Sequence, residues 1–317
     1  MSYVAGETIL DDEYNTFVNS SSDPYGYNHF AGVGAGEYGL NQSSISTVAA
    51  GNTVTASQWN TLFTGLDNIA NHTNTSITST SVTAGDTIAI KSALVTDLAN
   101  LAAAVAAGSP NATAISTNAV GSSSNAATWN TSSTIERSVT FADNATMRAF
   151  FNAGGFIRID PSCTTGIDGD KDTVFDDLTT VATGNLDLKA HSTSRSGSGE
   201  TLTTDGLANG FHDLTTSYTT LLKLTSDNSG YTSNTIEYQA KLDAATSSAT
   251  VITIKMIAVD ADNDDTYTSP NGDGVPADPN KAPIMTLALF EHFPNNTEGL
   301  ASNIQSLSND EVSNTAS

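Results

Sequence analysis

Cysteine and long apolar runs are almost absent from this chain. Cys163 is the single cysteine among 317 residues, so an intrachain disulfide bond is excluded. A nucleophilic cysteine needs a histidine close by, and the local sequence supplies none, so we interpret Cys163 as a small, partly buried apolar residue. No stretch approaches the roughly 18 consecutive apolar residues of a membrane-spanning helix, so no membrane partner is expected.

Positive charge is scarce as well. The chain has 11 Lys and Arg residues against 34 Asp and Glu residues, which gives a formal net charge of -23. A surface this acidic repels phosphate backbones, so nucleic acid is not an expected partner. Charged residues make up only 14% of the chain, against about a quarter in ordinary proteins. Ser, Thr, Asn, Ala and Gly replace them, which favours β structure, turns and uncharged contact surfaces.

Signatures of catalysis and of secretion are also lacking. No phosphate-binding loop, nucleophile elbow or zinc spacing occurs, and the five histidines are scattered. Aromatic residues are only 7% of the chain, too few for the platforms of a typical sugar cleft. We therefore expect no enzyme, with a glycan depolymerase using paired carboxylates as the enzymatic alternative. The N-terminus has neither the basic nor the apolar region of a signal peptide.

What the chain does contain is a short repeated phrase. Ala-Gly-x-Thr-Ile/Val occurs at residues 5–9, 50–54 and 84–88. A helix-like stretch follows each copy, and these stretches open at residues 14–16, 59–61 and 93–95. Repeated turn-plus-helix units bury their apolar faces against neighbours. The repeats therefore indicate a part of an assembly rather than a catalyst.

The periodicity predicts an α+β fold with two different halves. Residues 1–107 read as a helical docking region with long loops, with helices at 7–20, 55–71 and 90–107. Residues 108–133 read as a Ser/Asn/Ala-rich linker, and 295–317 as a polar tail. Residues 134–294 read as a mainly-β, β-sandwich-like domain with two or three helices. Its predicted helices are one capped by Asp143 or Asn144 and one at 171–182. Its predicted strands are 134–141, 156–159, 185–190, 218–225, 231–242, 249–259 and 283–292, and the run 250–259 is apolar enough to suggest burial on both faces.

The second predicted helix carries the clearest apolar face. Thr55 and Gln58 form a candidate capping box before it. Its apolar residues follow the helical period and include Trp59, Leu62, Phe63 and Leu66. We expect this face to be buried partly between chains, as an interface for assembly.

Two acidic clusters are the candidate metal sites. Asp168, Asp170 and Asp172 have the alternate spacing of a calcium loop, but Thr173 and Thr179 stand where an EF-hand needs Gly and Glu. Asp260, Asp262 and Asp264 follow the most apolar strand. Carboxylates this close repel one another unless a cation or open water relieves them. No cofactor is predicted, and calcium at these carboxylates stands beside the alternative of solvated acidic turns.

Several motifs resemble one family. They are Gly36–Gln42, Val48 with Gly51, the run Thr55–Leu62, Asn71-His72, the run Met147–Arg158 and, more weakly, Gly206–Thr215. Together they resemble virion structural proteins of tailed bacteriophages, including marine cyanophage-type viruses. The resemblance covers about half of the chain, at intervals. It implies a tail, neck or appendage protein without catalytic residues, located in the virion and made in the host cytoplasm.

The second motif adds residues to the predicted interface. Phe150 and Phe151 are adjacent on a helix and point to different sides, so one can fill its own core while the other contacts a neighbour. Arg148 and Arg158 are two of few cations, and either an internal contact or a cross-subunit salt bridge fits them. The expected partners are copies of the chain and other virion proteins. The alternative function is a surface adhesin or calcium-dependent module that binds host glycan.

Overall fold

The computed structural model describes residues 11–22, 25–31, 43–73, 75–83, 91–106, 115–125, 129, 131–152, 154–164, 169–261, 283–294 and 307–316. The chain divides into two compact units, each assembled from separate stretches of sequence. The helical unit contains Met1–Ser116, Asp143–Gly155 and Phe293–Ser306. The sheet unit contains Thr117–Ala142, Phe156–His292 and Leu307–Ser317. The fold is α+β with a mainly-β second half, as the sequence predicted.

In its described part, the helical unit contains five α-helices. They are α1 (Asp11–Asn19), α2 (Tyr27–Ala31), α3 (Ala56–His72), α4 (Lys91–Ala106) and α5 (Asn144–Asn152). The three helices predicted before residue 108 are confirmed as α1, α3 and α4, and residues 7–10 of the first prediction lie outside the described residues. Helix α2 was missed, because its five residues are too few to show a period. It lies within a stretch expected to be loop.

Helix α3 begins where its capping chemistry dictates. The Thr55 side chain accepts a hydrogen bond from the Gln58 N–H, and the Gln58 side-chain oxygen accepts one from the Thr55 N–H, which completes the predicted capping box. The apolar face of α3 is buried against α1, where the Trp59 ring meets the Tyr14 ring edge-on at 5.2 Å between centroids. The Leu94, Leu98, Leu101 and Val105 stripe of α4 is buried as well.

Two extended segments of the helical unit are fastened to these helices by asparagine side chains. The first strap is residues 43–55 and the second is residues 75–83. Asn15 of α1 donates to the Val48 carbonyl at 2.8 Å and accepts from the Val48 N–H at 2.7 Å. Asn60 of α3 makes the same pair of bonds with Val82, both at 2.8 Å. Each asparagine side chain thus pairs with both the N–H and the carbonyl of one strap residue, as the backbone of a neighbouring β-strand would.

These asparagine clamps explain the repeated phrase. Asn15 and Asn60 are the central residues of the aligned Tyr-Asn-Thr and Trp-Asn-Thr triplets, and the clamped Val48 stands three positions before Gly51. Val82 stands three positions before Gly85, in the next copy. The helix of one repeat therefore holds the strap that leads into the turn of the next repeat. At Gly51 that turn needs φ of +81°, which glycine adopts without strain. The first and third copies of the phrase lie outside the described residues.

Helix α5 has the predicted start and stop. The Asp143 carboxylate accepts a hydrogen bond from the Thr146 N–H at 2.7 Å, so Asp143 is the cap and Asn144 the first helical residue. At the other end Gly154 adopts φ of +85°. The N–H groups of Gly154 and Gly155 then bond back to the carbonyls of Phe151 and Phe150, which closes the helix with a left-handed cap.

The sheet unit holds two antiparallel sheets. The strands are β1 (Ile115–Ser124), β2 (Ser132–Thr140), β3 (Phe156–Cys163), β4 (Leu186–Leu188), β5 (Thr193–Arg195), β6 (Thr201–Asp205), β7 (Thr219–Thr225), β8 (Thr235–Leu242), β9 (Val251–Val259), β10 (Met285–Pro294) and β11 (Ser308–Ala316). One sheet has the order β1-β10-β3-β4-β5 and the other β11-β2-β9-β8-β7-β6. All seven strands that the sequence predicted are present.

Strand β9 differs from its prediction. It lies inside the six-stranded sheet, paired with β2 on one side and β8 on the other. Its residues alternate between buried and half-buried, so only one face is fully covered. The aliphatic and lysine side chains of the other face, such as Lys255, lie in half-exposed positions across from residues such as Glu136. Burial on both faces was therefore wrong.

Two segments expected to be irregular form strands instead. Residues 115–124 of the predicted linker form β1 beside β10, and residues 308–316 of the predicted tail form β11 beside β2. Both are rich in Ser, Thr and Asn, which carry little apolar signal. Side chains of β11 bind the backbone of β1, since Asn314 donates to the Ser124 carbonyl at 2.8 Å and Asn309 donates to the Val120 carbonyl. Tertiary partners thus order sequence that composition alone marked as loose.

Helix α6 (Gly169–Asp176) continues directly into a π-helical segment (Asp177–Thr183). The two occupy the predicted helix at 171–182. The segment contacts β3 of one sheet and β7 and β8 of the other, so the helical connection packs against both sheets. π-helical turns are rare and occur often at functional sites. The side chains of the adjoining helix α6 are therefore candidates for a functional site.

Candidate functional sites

The predicted interface on α3 is part of the core of its own unit. Trp59, Leu62, Phe63 and Leu66 are each at most 5% exposed in the single chain. The Trp59 ring is surrounded by Tyr14, Phe17 and Phe63, with centroid separations between 5.2 and 6.1 Å. In the single chain, this face is covered by α1. Its burial partly between chains stays a prediction.

The second predicted interface is buried in the same sense. Phe150 and Phe151 have no solvent exposure, and their rings meet edge-on at 5.0 Å. Both rings are thus enclosed in the single chain. Arg148 is half-buried, and this burial lowers the pKa of its guanidinium. A cross-subunit role for these three residues stays a prediction.

Arg158 shows the internal contacts that were one of its two interpretations. Its guanidinium binds the Asp187 carboxylate through Nε at 2.7 Å and through a terminal nitrogen at 3.0 Å. It also lies over the Phe156 ring, 5.6 Å from the centroid. The His292 ring also stacks on the Phe156 ring, with 4.5 Å between the ring centroids. Burial and the nearby positive charge of Arg158 lower the pKa of His292.

The predicted metal residues fall in two groups. Asp168, Asp262, Asp264 and the side chain of Asp170 lie outside the described residues, so calcium there stays a prediction. Asp172 and Asp260 are described, and both are buried. Among the described residues, no three His, Cys, Asp or Glu side chains come together as a metal-binding group.

Asp260 has a different partner from the one predicted. The Lys171 ammonium lies 2.7 Å from its Oδ2 atom, and both side chains have 0% exposure. Lys171 belongs to α6 and Asp260 follows β9, so the contact joins residues that the sequence placed in two separate acidic clusters. Sequence reasoning missed it because Lys171 was considered only as a spacer between aspartates. The charge of Asp260 thus lies against the ammonium of Lys171, and calcium at Asp260 stays a prediction.

Cys163 lies near the same region and is inert. Burial, followed by the negative charge of Asp176, raises the pKa of its thiol to about 12. A thiol with this pKa stays protonated at neutral pH and is a poor nucleophile. The interpretation of Cys163 as a partly buried apolar residue is confirmed.

The exposed surface of the sheet unit includes one unusual strand. All five residues of β6 are exposed, and among the described strands β6 pairs only with β7, so it forms one edge of the six-stranded sheet. Leu202 on this strand is 45% exposed, and Val312 on the opposite edge strand β11 is 52% exposed. Edge strands usually carry lysine or proline to block pairing. Strand β6 has neither, although a bulge between Leu202 and Thr204 shifts its register.

Comparison with known proteins gives no relative from which a role could be carried over. In the part of the chain that the structure describes, no helix is both long and apolar enough to cross a membrane. No protein-family model, curated protein or solved structure matches the chain.

Proposed function

We propose that this chain is a non-enzymatic structural subunit of a tailed phage virion, in the tail, the neck or an attached fibre. It acts through contacts with copies of itself and with other virion proteins. The proposal rests on one observation, which is that residues of the motifs serve as caps, clamps and core residues of the fold. Motif residues such as Thr55, Trp59 and Asn60 support the fold through a helix cap, core packing and a backbone clamp.

The first motif illustrates this use. Val48 is clamped by Asn15, and Gly51 forms the turn that follows. Thr55 caps α3, Trp59 fills the core, and Asn60 clamps the second strap. The motif therefore encodes a link between successive helical units. A subunit that must hold its shape within a particle requires such a link.

The second motif is equally structural. Phe150 and Phe151 are core residues, Gly154 and Gly155 close α5, and Arg158 is paired with Asp187. In the third and weaker match, Phe211 is fully buried and its N–H binds the Lys189 carbonyl at 2.8 Å. A resemblance carried by architectural residues supports a shared architecture rather than a shared reaction.

The surface that suits assembly is the β6 edge. Its unpaired ladder groups and the exposed Leu202 offer hydrogen bonds and apolar contact to another strand. Asp205 is the only charged residue in β6, which matters because copies with a net charge of -23 repel one another elsewhere. We assign this edge to a second copy of the chain, which can pair strand to strand.

Light scattering at several protein concentrations tests the self-assembly. The expected result is a discrete oligomer, such as a trimer or hexamer, for the wild type. Leu202→Glu should reduce it to the monomer by placing a charge on the paired edge. Val312→Glu is the matched control on the opposite edge of the same sheet, and it should leave the oligomer intact. A monomeric wild type, or equal effects of both variants, would contradict the assignment of β6.

The virion assignment has its own test. Peptide mass spectrometry of purified particles of the virus that encodes the chain should detect it in the quantity of a structural protein. Its absence from such particles would overturn the proposal. Calcium-dependent binding of the purified protein to host cells would instead favour the adhesin.

A further inference from the structure

The Lys171–Asp260 pair is a costly arrangement if it is only a salt bridge. Its charged atoms are 2.7 Å apart and both side chains are fully buried. Removing two charges from water costs about as much as their attraction returns, so well-packed apolar residues of similar volume often stabilise a fold equally well. Stability alone therefore does not account for a lysine and an aspartate at this place.

Both partners are held rigidly. The Asp260 N–H donates to the Thr131 carbonyl at 3.0 Å, beside the start of β2. The next N–H, that of Ala261, donates to the Asn234 side chain at 2.9 Å, and Asn234 is itself buried. The aspartate is thus fixed between the starts of β2 and β8. Its carboxylate has little freedom to move away from the amine.

The lysine side is anchored by aromatic packing on α6. Phe175 is fully buried and meets the Trp129 ring at 5.0 Å. The Trp129 indole N–H donates to the Pro283 carbonyl at 2.7 Å. The helix that carries Lys171 is therefore fastened to the sheet unit. Fixing two reacting groups at contact distance removes most of the entropy cost of bringing them together.

We propose that Lys171 and Asp260 condense into an intramolecular isopeptide bond. A proton passes from the ammonium to the carboxylate across their contact, which gives a neutral amine and a carboxylic acid. The amine nitrogen then attacks the carboxyl carbon, one bond beyond the oxygen it already touches. The carbon–nitrogen bond forms, the carbon–oxygen bond of the hydroxyl breaks, and the hydroxyl leaves with a proton from the nitrogen as water. Atoms and charge balance without a cofactor or oxidant.

The surroundings favour the product. Because both side chains are excluded from solvent, the amide, once formed, is shielded from hydrolysis. The bond also replaces two buried charges with one neutral group, which ends their desolvation cost. It closes a covalent loop over residues 171–260 that contains β4 to β9. The helical connection is then tied to the six-stranded sheet, independently of the role proposed above.

Intact-mass spectrometry of the denatured full-length chain tests the bond. The wild type should be lighter than its sequence mass by one water molecule, and proteolysis should yield a branched peptide that joins Lys171 to Asp260. Lys171→Arg keeps the positive charge but should show the full mass, as should Asp260→Ala. Lys223→Met is the control, because Lys223 forms only a partly exposed pair with Glu237 at 3.5 Å. This variant should keep the mass deficit.

One result overturns the proposal even if the variants fail to fold. That result is a folded wild-type protein which, after days of incubation following purification, still shows the full sequence mass and yields two separate peptides. The pair would then be an ion pair only. A mass deficit that persists in Lys171→Arg would equally contradict it, because the bond would have to lie elsewhere.

Discussion

Replacing Asn60 with alanine tests the clamp that ties α3 to the second strap. The asparagine side chain makes two hydrogen bonds of 2.8 Å to the backbone of Val82. Val82 is buried, with 6% of its surface exposed. Alanine would leave the Val82 N–H and carbonyl without these partners and open a small gap beside α3.

The expected loss follows from these two groups. Leaving one buried donor or acceptor without a partner costs about 1–3 kcal/mol. Asn60 is itself half-buried, so water reaches part of the gap, and we take the lower part of that range for each group. The variant should lose about 2–4 kcal/mol of unfolding free energy. Asn60→Asp should recover only part of it, because a carboxylate accepts from the Val82 N–H but cannot donate to the carbonyl.

Urea denaturation measures the loss of unfolding free energy, and hydrogen exchange of the Val82 amide shows whether the loss arises at the clamp. The Val82 amide should exchange faster in Asn60→Ala than in the wild type, since its acceptor is gone. Asn71→Ala is the matched control, because Asn71 is an exposed asparagine on the same helix. Its effect should stay within about 0.5 kcal/mol. Equal stabilities of the two variants, or unchanged exchange at Val82, would refute the reasoning.

Two further predictions concern a histidine and a helix cap. The pKa of His292 is lowered in the folded state, chiefly by burial, so the unfolded chain takes up the proton first, and stability should fall as the pH drops through about 6.5. Urea midpoints between about pH 8 and pH 5.5 should decline less in His292→Gln than in the wild type, and parallel curves would contradict this. Asp143→Ala removes the acceptor for the Thr146 N–H and should cost about 1 kcal/mol by thermal melting, whereas Asp143→Asn should cost little. Equal losses in both would show that the cap is not the cause.

Local chemistry made much of the fold predictable. The capping box of α3, the Asp143 cap and the Gly154 stop act within a few residues, so the sequence contains both partners. The alternation of a strand such as β8 is equally local, because successive side chains face opposite sides of a sheet. Strands without that alternation were missed. Every residue of β6 is exposed, and β11 is mostly exposed, so neither shows a buried face in its sequence.

The sites were less predictable, because their partners lie far apart along the chain. The apolar face of α3 was recognised, but nothing in it distinguishes burial against α1 from burial against another molecule. The triplets around Asn15 and Asn60 were noticed as repeats, yet their clamping role depends on valines that lie 33 and 22 residues further along the chain. That role could have been suspected from the constant spacing between valine and glycine in successive copies.

The sequence by itself determined the longer helices and the strands with a regular apolar pattern, since periodicity, caps and turns are encoded by neighbouring residues. It also determined the acidic charge and the lack of a disulfide. The tertiary structure alone decided which of these elements meet. Only folding brings Lys171 of α6 against Asp260 beyond β9, and only folding leaves β6 exposed while it covers Trp59. Contacts between distant residues depend on packing, for which the order of residues along the chain carries no local signal.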